Sequence, residues 1–266
     1  MDKQKIGSLF SKAALRYDKY AWFPQRASKR LLGFMPSSLR RPMNILDIGC
    51  GTGAMVVNLS RRFKRARVIG LDLAYGMLRV AAGRKDRNGE VFLQADLDRL
   101  PFKNGMFEMV TSNLVYQRVS NLNRALKKVN RILIPGGRLY ISLAVDGTLR
   151  ELQTSFVSAY RKIIKSSPKE VYRHPLPHRV IKSLEDSGFK IIRTAAFRKQ
   201  KYYNRAAEII KWLKSIGANY YYHQWMNGLG SRQVLGEMEK IYRARYCRKG
   251  RIYATFCGLI IEAIKQ

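Results

Sequence analysis

The chain has 266 residues, of which 46% are hydrophobic, so a large core can form and wholesale disorder is excluded. Its 51 lysines and arginines against 18 acids give a net charge of +33, which favours nucleic acid, an anionic membrane surface or an acidic protein as partner, unless the whole surface is simply basic. Three scattered cysteines and the dispersed His174, His178 and His223 exclude a disulfide framework and predict no metal site.

The first elements are predicted to be helices. Apolar residues recur at helical spacing over residues 4–20 and 25–35, and the segment PSSLRRP (Pro36–Pro42) ends this pattern. The N-terminal segment lacks the continuous apolar core of a signal peptide, and the late stretch ATFCGLIIEAI is too short to cross a bilayer. We therefore expect a soluble, cytoplasmic protein.

Short strands and helices then alternate as far as Ala144. The predicted strands are MNILDIG, ARVIGLDL, EVFLQAD, MFEMVTSN and GRLYISLA, and the predicted helices are AMVVNLSRRF, YGMLRVAAGR and NLNRALKKVNRIL. This alternation predicts an α/β fold with a parallel sheet covered on both faces. The strands are apolar on both sides, which is typical of buried parallel strands.

The rhythm changes after Asp146. Helices are predicted over residues 148–165, 176–187, 204–216 and 231–246, and strands over Gly188–Tyr203 and RIYATFCGLIIEAI. We expect this half to complete the sheet and to add helices over its carboxyl edge. Since no second core is evident, the sequence favours a single domain.

The segment DIGCGTG lies between the first buried strand and the next helix. Gly49, Gly51 and Gly53 allow a tight turn and a close approach of the backbone to a ligand. In open α/β sheets ligands bind at the carboxyl ends of strands, where this loop lies. A purely structural turn is the alternative interpretation.

Two further acids follow neighbouring strands. Asp72 ends the second strand about 20 residues past the loop, where an acid accepts hydrogen bonds from ribose hydroxyls. Asp96 follows the third strand and can accept a hydrogen bond from an adenine amine, while the next backbone amide reaches the ring. Each acid alone could cap a helix, but together they predict an adenosine ligand.

The loop has the spacing GxGxG after Asp47, not the GxGxxG of dinucleotide sites, and it lacks a P-loop lysine. An acid at its head favours a cationic ligand without phosphate, such as S-adenosylmethionine. Residues 43–143 carry ILDIGCGTG, GLDL, ADLDRLPF, FEMVTSN and LIPGGRL, and this set resembles class I S-adenosylmethionine-dependent methyltransferases. The resemblance implies a Rossmann-like, mostly parallel seven-stranded sheet with extra helices over the active site.

The resemblance also implies a set of cofactor-binding residues. Asp47, Gly49, Gly51 and Gly53 would line the methionine side, Asp72 and Leu73 the ribose, Asp96 and Leu97 the adenine, and Asn113 the sulfonium end. Met77 would pack on the adenine or belong to an ordinary helix core.

A narrower resemblance covers most of the chain. FSKAALRYDKYAWFPQRAS, SNLVYQRVSNLNRAL, AVDGTLREL and LKSIGAN are similar to the malonyl-[acyl-carrier protein] O-methyltransferases of biotin synthesis. That family's N-terminal helix folds over the cofactor, which would place Tyr17 and Gln25 at the pocket. The resemblance implies a single domain (1–266), with N-terminal helices over the cofactor (1–42), a cofactor-binding half (43–146) and a substrate side (147–266).

The implied acceptor is the free carboxylate of a malonyl thioester on an acidic acyl carrier protein. A carboxylate is ionised at neutral pH and needs no general base, so no catalytic residue is demanded and positioning suffices. Tyr17, Asn113 and Arg150 are candidates for positioning, and Arg150 is the candidate for binding the carboxylate.

Other functions stay open at this stage. The charge favours a nucleic-acid methyltransferase, although SNLVYQ replaces the (N/D)PP(Y/F) tetrapeptide of amino-methylating enzymes and no proline–cysteine nucleophile pair is present. A quinone-type or small-acid methyltransferase would have the same fold. A non-catalytic assembly protein is a further alternative, which the intact Asp47, Asp72 and Asp96 disfavour.

Overall fold

A mixed β-sheet forms the centre of the molecule and carries helices on both faces. The computed structural model describes residues 2–38, 43–84, 89–168, 171–220 and 230–266, so His223 and part of Pro36–Pro42 lie outside the described residues. The strands are β1 (Met43–Ile48), β2 (Ala66–Asp72), β3 (Val91–Gln94), β4 (Phe107–Asn113), β5 (Leu133–Ala144), β6 (Phe189–Tyr203), β7 (Cys247–Arg248) and β8 (Arg251–Lys265). The helices are α1 (Lys3–Tyr20), α2 (Trp22–Phe34), α3 (Ala54–Arg62), α4 (Tyr75–Ala82), α5 (Leu122–Ile132), α6 (Arg150–Ile164), α7 (Pro177–Glu185), α8 (Ala206–Ser215) and α9 (Ser231–Tyr246). The predicted strands and helices are thus confirmed.

The strands lie in the order β3-β2-β1-β4-β5-β8-β6, and the short β7 pairs with β8 beside this path. The pairs from β3 to β5 are parallel. The strand order reverses between β1 and β4, so the loops after these strands diverge and open a crevice at the carboxyl edge.

The closing strand β8 lies between β5 and β6 and is antiparallel to both. Ile261 pairs with Ile141 of β5 on one side and with Thr194 of β6 on the other. A strand buried between two neighbours explains the nearly continuous apolar run in β8. The sheet is therefore mixed, with a parallel half that carries the crevice.

Each face of the sheet has its own apolar core. One face packs against α2, α3, α6, α8 and α9, with Leu31, Leu59 and Phe156 fully buried. The other face packs against α5 and α7, where Leu126 and Leu184 are fully buried. Truncation of such a leucine to alanine costs roughly 2–5 kcal/mol of stability.

Strand β3 departs from the expectation that the parallel strands are apolar and buried on both sides. Val91 is 40% exposed, because β3 forms the outer edge of the sheet. Among the described residues, no helix combines the length and apolar character needed to cross a membrane.

Helix α1 lies over the carboxyl edge of the sheet and packs against α4 and α8. Two glycines allow this approach. A Cβ at Gly76 would lie 2.7 Å from the backbone of Ser11, and one at Gly217 (φ +68°) would lie 2.8 Å from Cα of Phe10. The extra helix over the edge is as expected from the sequence.

Candidate functional site

The loop between β1 and α3 contains three glycines in the left-handed region, Gly49, Gly51 and Gly53, with φ of +70°, +54° and +80°. A Cβ at Gly49 would lie 2.1 Å from Cγ2 of Val115, and one at Gly53 would lie 2.9 Å from Cβ of Ala81. A Cβ at Gly51 would meet nothing within 4 Å. Gly49 and Gly53 therefore allow close packing, whereas Gly51 borders open space that suits a ligand.

Asp47 lies near the end of β1, and its side chain is buried. Thr111 of the neighbouring β4 donates a hydrogen bond from Oγ1 to Oδ1 of Asp47 at 2.6 Å. Burial raises the pKa of Asp47 to about 7, against the opposing effect of the hydrogen bond from Thr111, and the charge of Asp72 adds to the rise. A cation bound beside this carboxylate would stabilise its ionised form.

Asp72 ends β2 and holds the glycine loop in place. Its Oδ2 accepts a hydrogen bond from the backbone N–H of Gly51, and its Oδ1 accepts one from Ala74, both at 2.8 Å. Burial raises its pKa, and these backbone hydrogen bonds oppose the shift. A carboxylate has about four acceptor positions, so Asp72 keeps capacity for hydroxyl donors of a ligand.

Asp96 follows β3 and caps the short 3₁₀ turn Leu97–Arg99, with Oδ1 accepting from the backbone N–H of Asp98 at 2.9 Å. Lys3 at the start of α1 reaches across the edge and donates to both oxygens of Asp96, at 2.9 and 2.7 Å, and to Asp98. The sequence predicted an adenine contact for Asp96 but gave no sign of Lys3. Met77 is buried and lies close to this edge.

Asn113 ends β4 and is fixed by two partners. Ser142 donates from Oγ to Oδ1 of Asn113 at 2.6 Å, and Nδ2 of Asn113 donates to the carbonyl of Pro24 at 3.1 Å. Gln25 on α2 donates to the carbonyl of Asp18 at 2.7 Å. Helices α1 and α2 are thereby tied to the carboxyl edge of the sheet.

Three connected cavities run along this edge of the described structure. The strand-end cavity is lined by Asp72, Leu73, Met77, Asp96 and Leu97. The loop cavity is lined by Asp47, Gln25, Lys29 and Thr52, and it shares Gly49, Gly51 and Asn113 with the strand-end cavity. The α8 cavity is lined by Trp212, Leu213, His174 and Phe256, and it shares Phe10 and Arg118 with the strand-end cavity. Tyr17 borders all three, so it stands at their junction.

The α8 cavity is mostly apolar and contains a few polar groups. Tyr172 donates its hydroxyl to the carbonyl of Gln117 at 2.6 Å. Burial, together with the nearby charge of Arg118, lowers the pKa of His174 to about 3, so His174 is neutral at physiological pH. Burial raises the pKa of Tyr17 as well, against the opposing charge of Arg118. Among the described residues that line this cavity, Arg118 therefore carries the fixed positive charge.

Two of the predicted site residues do not line these cavities. Gly53 packs against Ala81 at the start of α3. Arg150 is exposed at the first residue of α6, so the structure does not bring this candidate to the groove.

The sequence also gave no reason to single out Arg118, His174 or Lys29. Arg118 follows the end of β4 by a few residues, and the rule that ligands bind where strand order reverses was the available signal for it. His174 and Lys29 enter the groove from a loop and a helix without a recognisable motif.

The methyltransferase domain family matches residues 46–141 of this chain. The malonyl-[acyl-carrier protein] O-methyltransferase of Geobacter sulfurreducens is 29% identical over 96% of this chain and 96% of its own length. The protein of the same name from Erwinia pyrifoliae is 30% identical over 93% of this chain and 89% of its own length.

Solved structures share the fold. Phosphoethanolamine N-methyltransferase 2 of Haemonchus contortus, solved in complex with S-adenosyl-L-methionine, superposes with a TM-score of 0.58. The match covers 96% of this chain and 57% of that chain at 18% sequence identity, so it bears on the fold alone.

Proposed function

The chain belongs to the malonyl-[acyl-carrier protein] O-methyltransferase family, and we propose that it methylates the free carboxylate of malonyl-[acyl-carrier protein] in biotin synthesis. It is an S-adenosylmethionine-dependent methyltransferase.

The residues of the groove fit S-adenosylmethionine. The open side of Gly51 gives room for the ligand where the strand-end and loop cavities meet. Asp72 and Asp96 would bind the adenosine half, and the buried Asp47 would face the cationic methionine half. Lys29 and Gln25 of the loop cavity would bind the methionine carboxylate.

The single observation that carries the acceptor assignment is the α8 cavity. It opens onto the cofactor groove beside Tyr17, its walls are largely apolar, and Arg118 supplies a cation there. An apolar cavity with one cation suits a small acyl group that ends in a carboxylate. Phosphate-rich acceptors would need more cations than the described lining of this cavity contains.

The proposed reaction requires little chemistry from the side chains. The cofactor supplies an electrophilic methyl group on a sulfonium. A carboxylate oxygen forms the new O–C bond as the S–C bond breaks, and a neutral methyl ester and a thioether result. No proton is transferred, so a general base is unnecessary. Tyr17 and Asn113 would position the reactants, and Trp212 and Phe256 would exclude water.

The basic surface supports an acidic carrier protein as partner. Helix α5 begins shortly after Arg118, and its sequence LNRALKKVNRI contains four basic residues and no acid. Arg124 and Lys127 on this helix are exposed. Opposite charge on the two proteins would accelerate their encounter, and added salt would slow it.

The test is incubation with methyl-labelled S-adenosylmethionine, malonyl-[acyl-carrier protein] and bulk RNA in one reaction. We expect label in the carrier fraction as a base-labile methyl ester. The net charge of +33 makes RNA the strongest rival acceptor. Base-stable label in RNA, with none on the carrier protein, would refute the proposal.

A further inference from the structure

Arg118 lies at the junction of the strand-end and α8 cavities. It ends the 3₁₀ turn Tyr116–Arg118, which begins shortly after β4. Leu114, the first residue after β4, is in the left-handed region with φ of +57°, and its backbone N–H donates to the carbonyl of Ser142 at 2.9 Å. The backbone therefore turns sharply after Asn113 and directs the following residues into the groove.

The guanidinium of Arg118 has an aromatic neighbour and lacks an anionic one. It lies over the ring of Phe10 of α1, with 5.1 Å between Cζ and the ring centroid. Among the residues that the structure describes, no carboxylate lies within 4 Å of it. The contact with Phe10 holds the guanidinium at the junction of the two cavities, where its N–H donors can bind a ligand.

The other basic residues near the groove are engaged or lie elsewhere. Lys3 pairs with Asp96 and Asp98. Lys29 lines the loop cavity on the opposite side of Tyr17, and Arg150 is exposed outside all three cavities. His174 shares the α8 cavity with Arg118 but is neutral. A carboxylate that enters the α8 cavity would therefore meet Arg118 as its cation.

We propose that Arg118 binds the free carboxylate of the malonyl group in the α8 cavity and makes the site select a charged acyl chain over a neutral one. This inference rests on the proposed function, since it names the group that recognises its acceptor. A guanidinium offers a planar pair of donors that matches the two oxygens of a carboxylate.

The same contact distinguishes substrate from product. Methyl transfer removes the charge of the carboxylate, so the ester can no longer form an ion pair with Arg118. The interaction also weakens as the transition state forms, because the oxygen loses charge. Arg118 therefore contributes mainly to substrate binding, and its loss should raise KM more than it lowers kcat.

The experiment compares three acyl carrier proteins that differ at the acyl terminus: malonyl, malonyl methyl ester and acetyl. Their affinities are measured by calorimetry in the presence of S-adenosylhomocysteine. For the wild-type protein we expect the malonyl form to bind at least about 30-fold more tightly than both neutral forms, as for a charge-assisted hydrogen-bonded pair. For Arg118→Gln we expect this preference to fall below about 3-fold, with Arg118→Lys in between.

Two matched variants and a cofactor titration separate the outcomes. Arg65→Gln, an exposed cation that lines none of the three cavities, should retain the malonyl preference. If Arg150→Gln loses the malonyl preference and Arg118→Gln retains it, the inference is wrong and Arg150 is the residue that binds the malonyl carboxylate. If Arg118→Gln mainly weakens S-adenosylhomocysteine binding, Arg118 is a cofactor residue and the inference is also wrong.

Failure of the proposed function gives a different result. In that case the wild-type protein neither methylates malonyl-[acyl-carrier protein] nor prefers it to the acetyl form. If the wild type methylates the malonyl form while Arg118→Gln retains the wild-type KM, the inference fails and the proposed function stands.

Discussion

The acids and the amide that line the strand-end cavity lie at or just beyond the ends of adjacent parallel strands, whereas the α8 cavity is assembled from distant parts of the chain. Asp72, Asp96 and Asn113 lie at or just beyond the ends of β2, β3 and β4. In contrast, Phe10 and Trp212 meet in the α8 cavity although about 200 residues separate them. Short sequence motifs predict the polar residues at the strand ends, whereas the α8 cavity depends on how α1, α2 and α8 pack together.

This difference predicts that the two regions affect different binding steps. Polar side chains at the strand ends are fixed by hydrogen bonds to the glycine loop and to the neighbouring strand. The α8 cavity is bounded by helices and by the loop that contains His174, so its shape changes when that packing changes. We therefore expect substitutions at strand ends to affect cofactor binding, and substitutions at the helix contacts to affect acceptor binding.

The largest effect should come from Asp72→Asn. The amide keeps one acceptor oxygen for the loop but loses the charge and acceptor capacity that we assign to the ribose hydroxyls. We expect S-adenosylhomocysteine affinity by calorimetry to fall at least about 100-fold, roughly 3 kcal/mol, as for loss of two charge-assisted hydrogen bonds.

Asp186→Asn is the matched control for this variant, because Asp186 is an exposed acid remote from the groove. Both variants should keep a cooperative thermal transition. Wild-type affinity in a folded Asp72→Asn protein would contradict the ribose assignment and weaken the contrast between the two regions.

The sequence predicted that the acids and glycines after the strands would meet at one edge of the sheet, because each of these residues has a local signal. The acids follow apolar strands, and the glycines follow β1 at the spacing GxGxG. The sheet and the edge at which these residues meet can therefore be predicted from the sequence. Gly53 was the exception, since its spacing did not reveal that Ala81 occupies the space beside it.

The acceptor side could not be predicted in this way. Arg118 is one of 51 basic residues, and its position becomes meaningful only when α1 brings Phe10 over it and the groove opens beneath. Arg150 was selected from the sequence because it follows the cofactor half. The turn Asp146–Leu149 places Arg150 at the exposed first residue of α6, outside the lining of the α8 cavity to which Thr148 and Leu149 contribute.

The next largest effect is expected on the pH dependence of cofactor affinity, which we assign to Asp47. The cofactor is cationic, so the ionised carboxylate should favour its binding, whereas the ligand-free protein holds the pKa of Asp47 at about 7. Affinity for S-adenosylmethionine should therefore increase roughly 5- to 10-fold between pH 6 and pH 7.5. Asp47→Asn should flatten this dependence, and a wild-type affinity independent of pH would argue that Asp47 does not face the cation.

The same shift predicts the stability of the ligand-free protein. The folded state binds a proton at Asp47 more tightly than the unfolded chain, since burial raises the pKa of this carboxyl. This contribution is fully present below the unfolded pKa of about 4 and is lost as the pH rises through about 7. In a comparison of wild type with Asp47→Asn, the wild type alone should show this loss in Tm, and added cofactor should reduce it.

A smaller effect, on the KM for the acceptor, is expected from a substitution at Trp212 of the α8 cavity. Its Nε1 donates to the carbonyl of Tyr20 at 2.8 Å, and its ring packs edge-on against Phe256 with centroids 5.2 Å apart. Trp212→Phe removes the hydrogen bond and part of the side-chain volume, and the loss of interaction free energy should be about 1 kcal/mol or slightly more. We expect KM for malonyl-[acyl-carrier protein] to rise about 3- to 5-fold, with cofactor affinity unchanged within 2-fold.

Ile209→Val on the same helix separates packing from recognition. Ile209 is fully buried and does not line the α8 cavity, and its truncation should cost a similar 0.5–1.5 kcal/mol. This variant should lower Tm and leave the acceptor KM as in the wild type. An equal rise of KM in both variants would mean that global stability, and not the shape of the cavity, controls acceptor binding.

The smallest effect should come from Lys3→Gln, where α1 crosses the strand-end cavity. Lys3 pairs with Asp96 at 2.7 Å and also with Asp98, but its side chain is 39% exposed and both acids are about 30% exposed. Solvent screening limits such a contact to about 0–1 kcal/mol. Because the pair ties α1 to the sheet edge, its loss should weaken S-adenosylhomocysteine binding about 2-fold at low salt and have no effect at 0.5 M salt.

Lys12→Gln, an exposed cation of the same helix, should have no effect at either salt concentration. Tighter binding by Lys3→Gln would instead mean that Lys3 competes with the adenine for Asp96, and the edge of the sheet would then be less preorganised than the contrast with the α8 cavity implies.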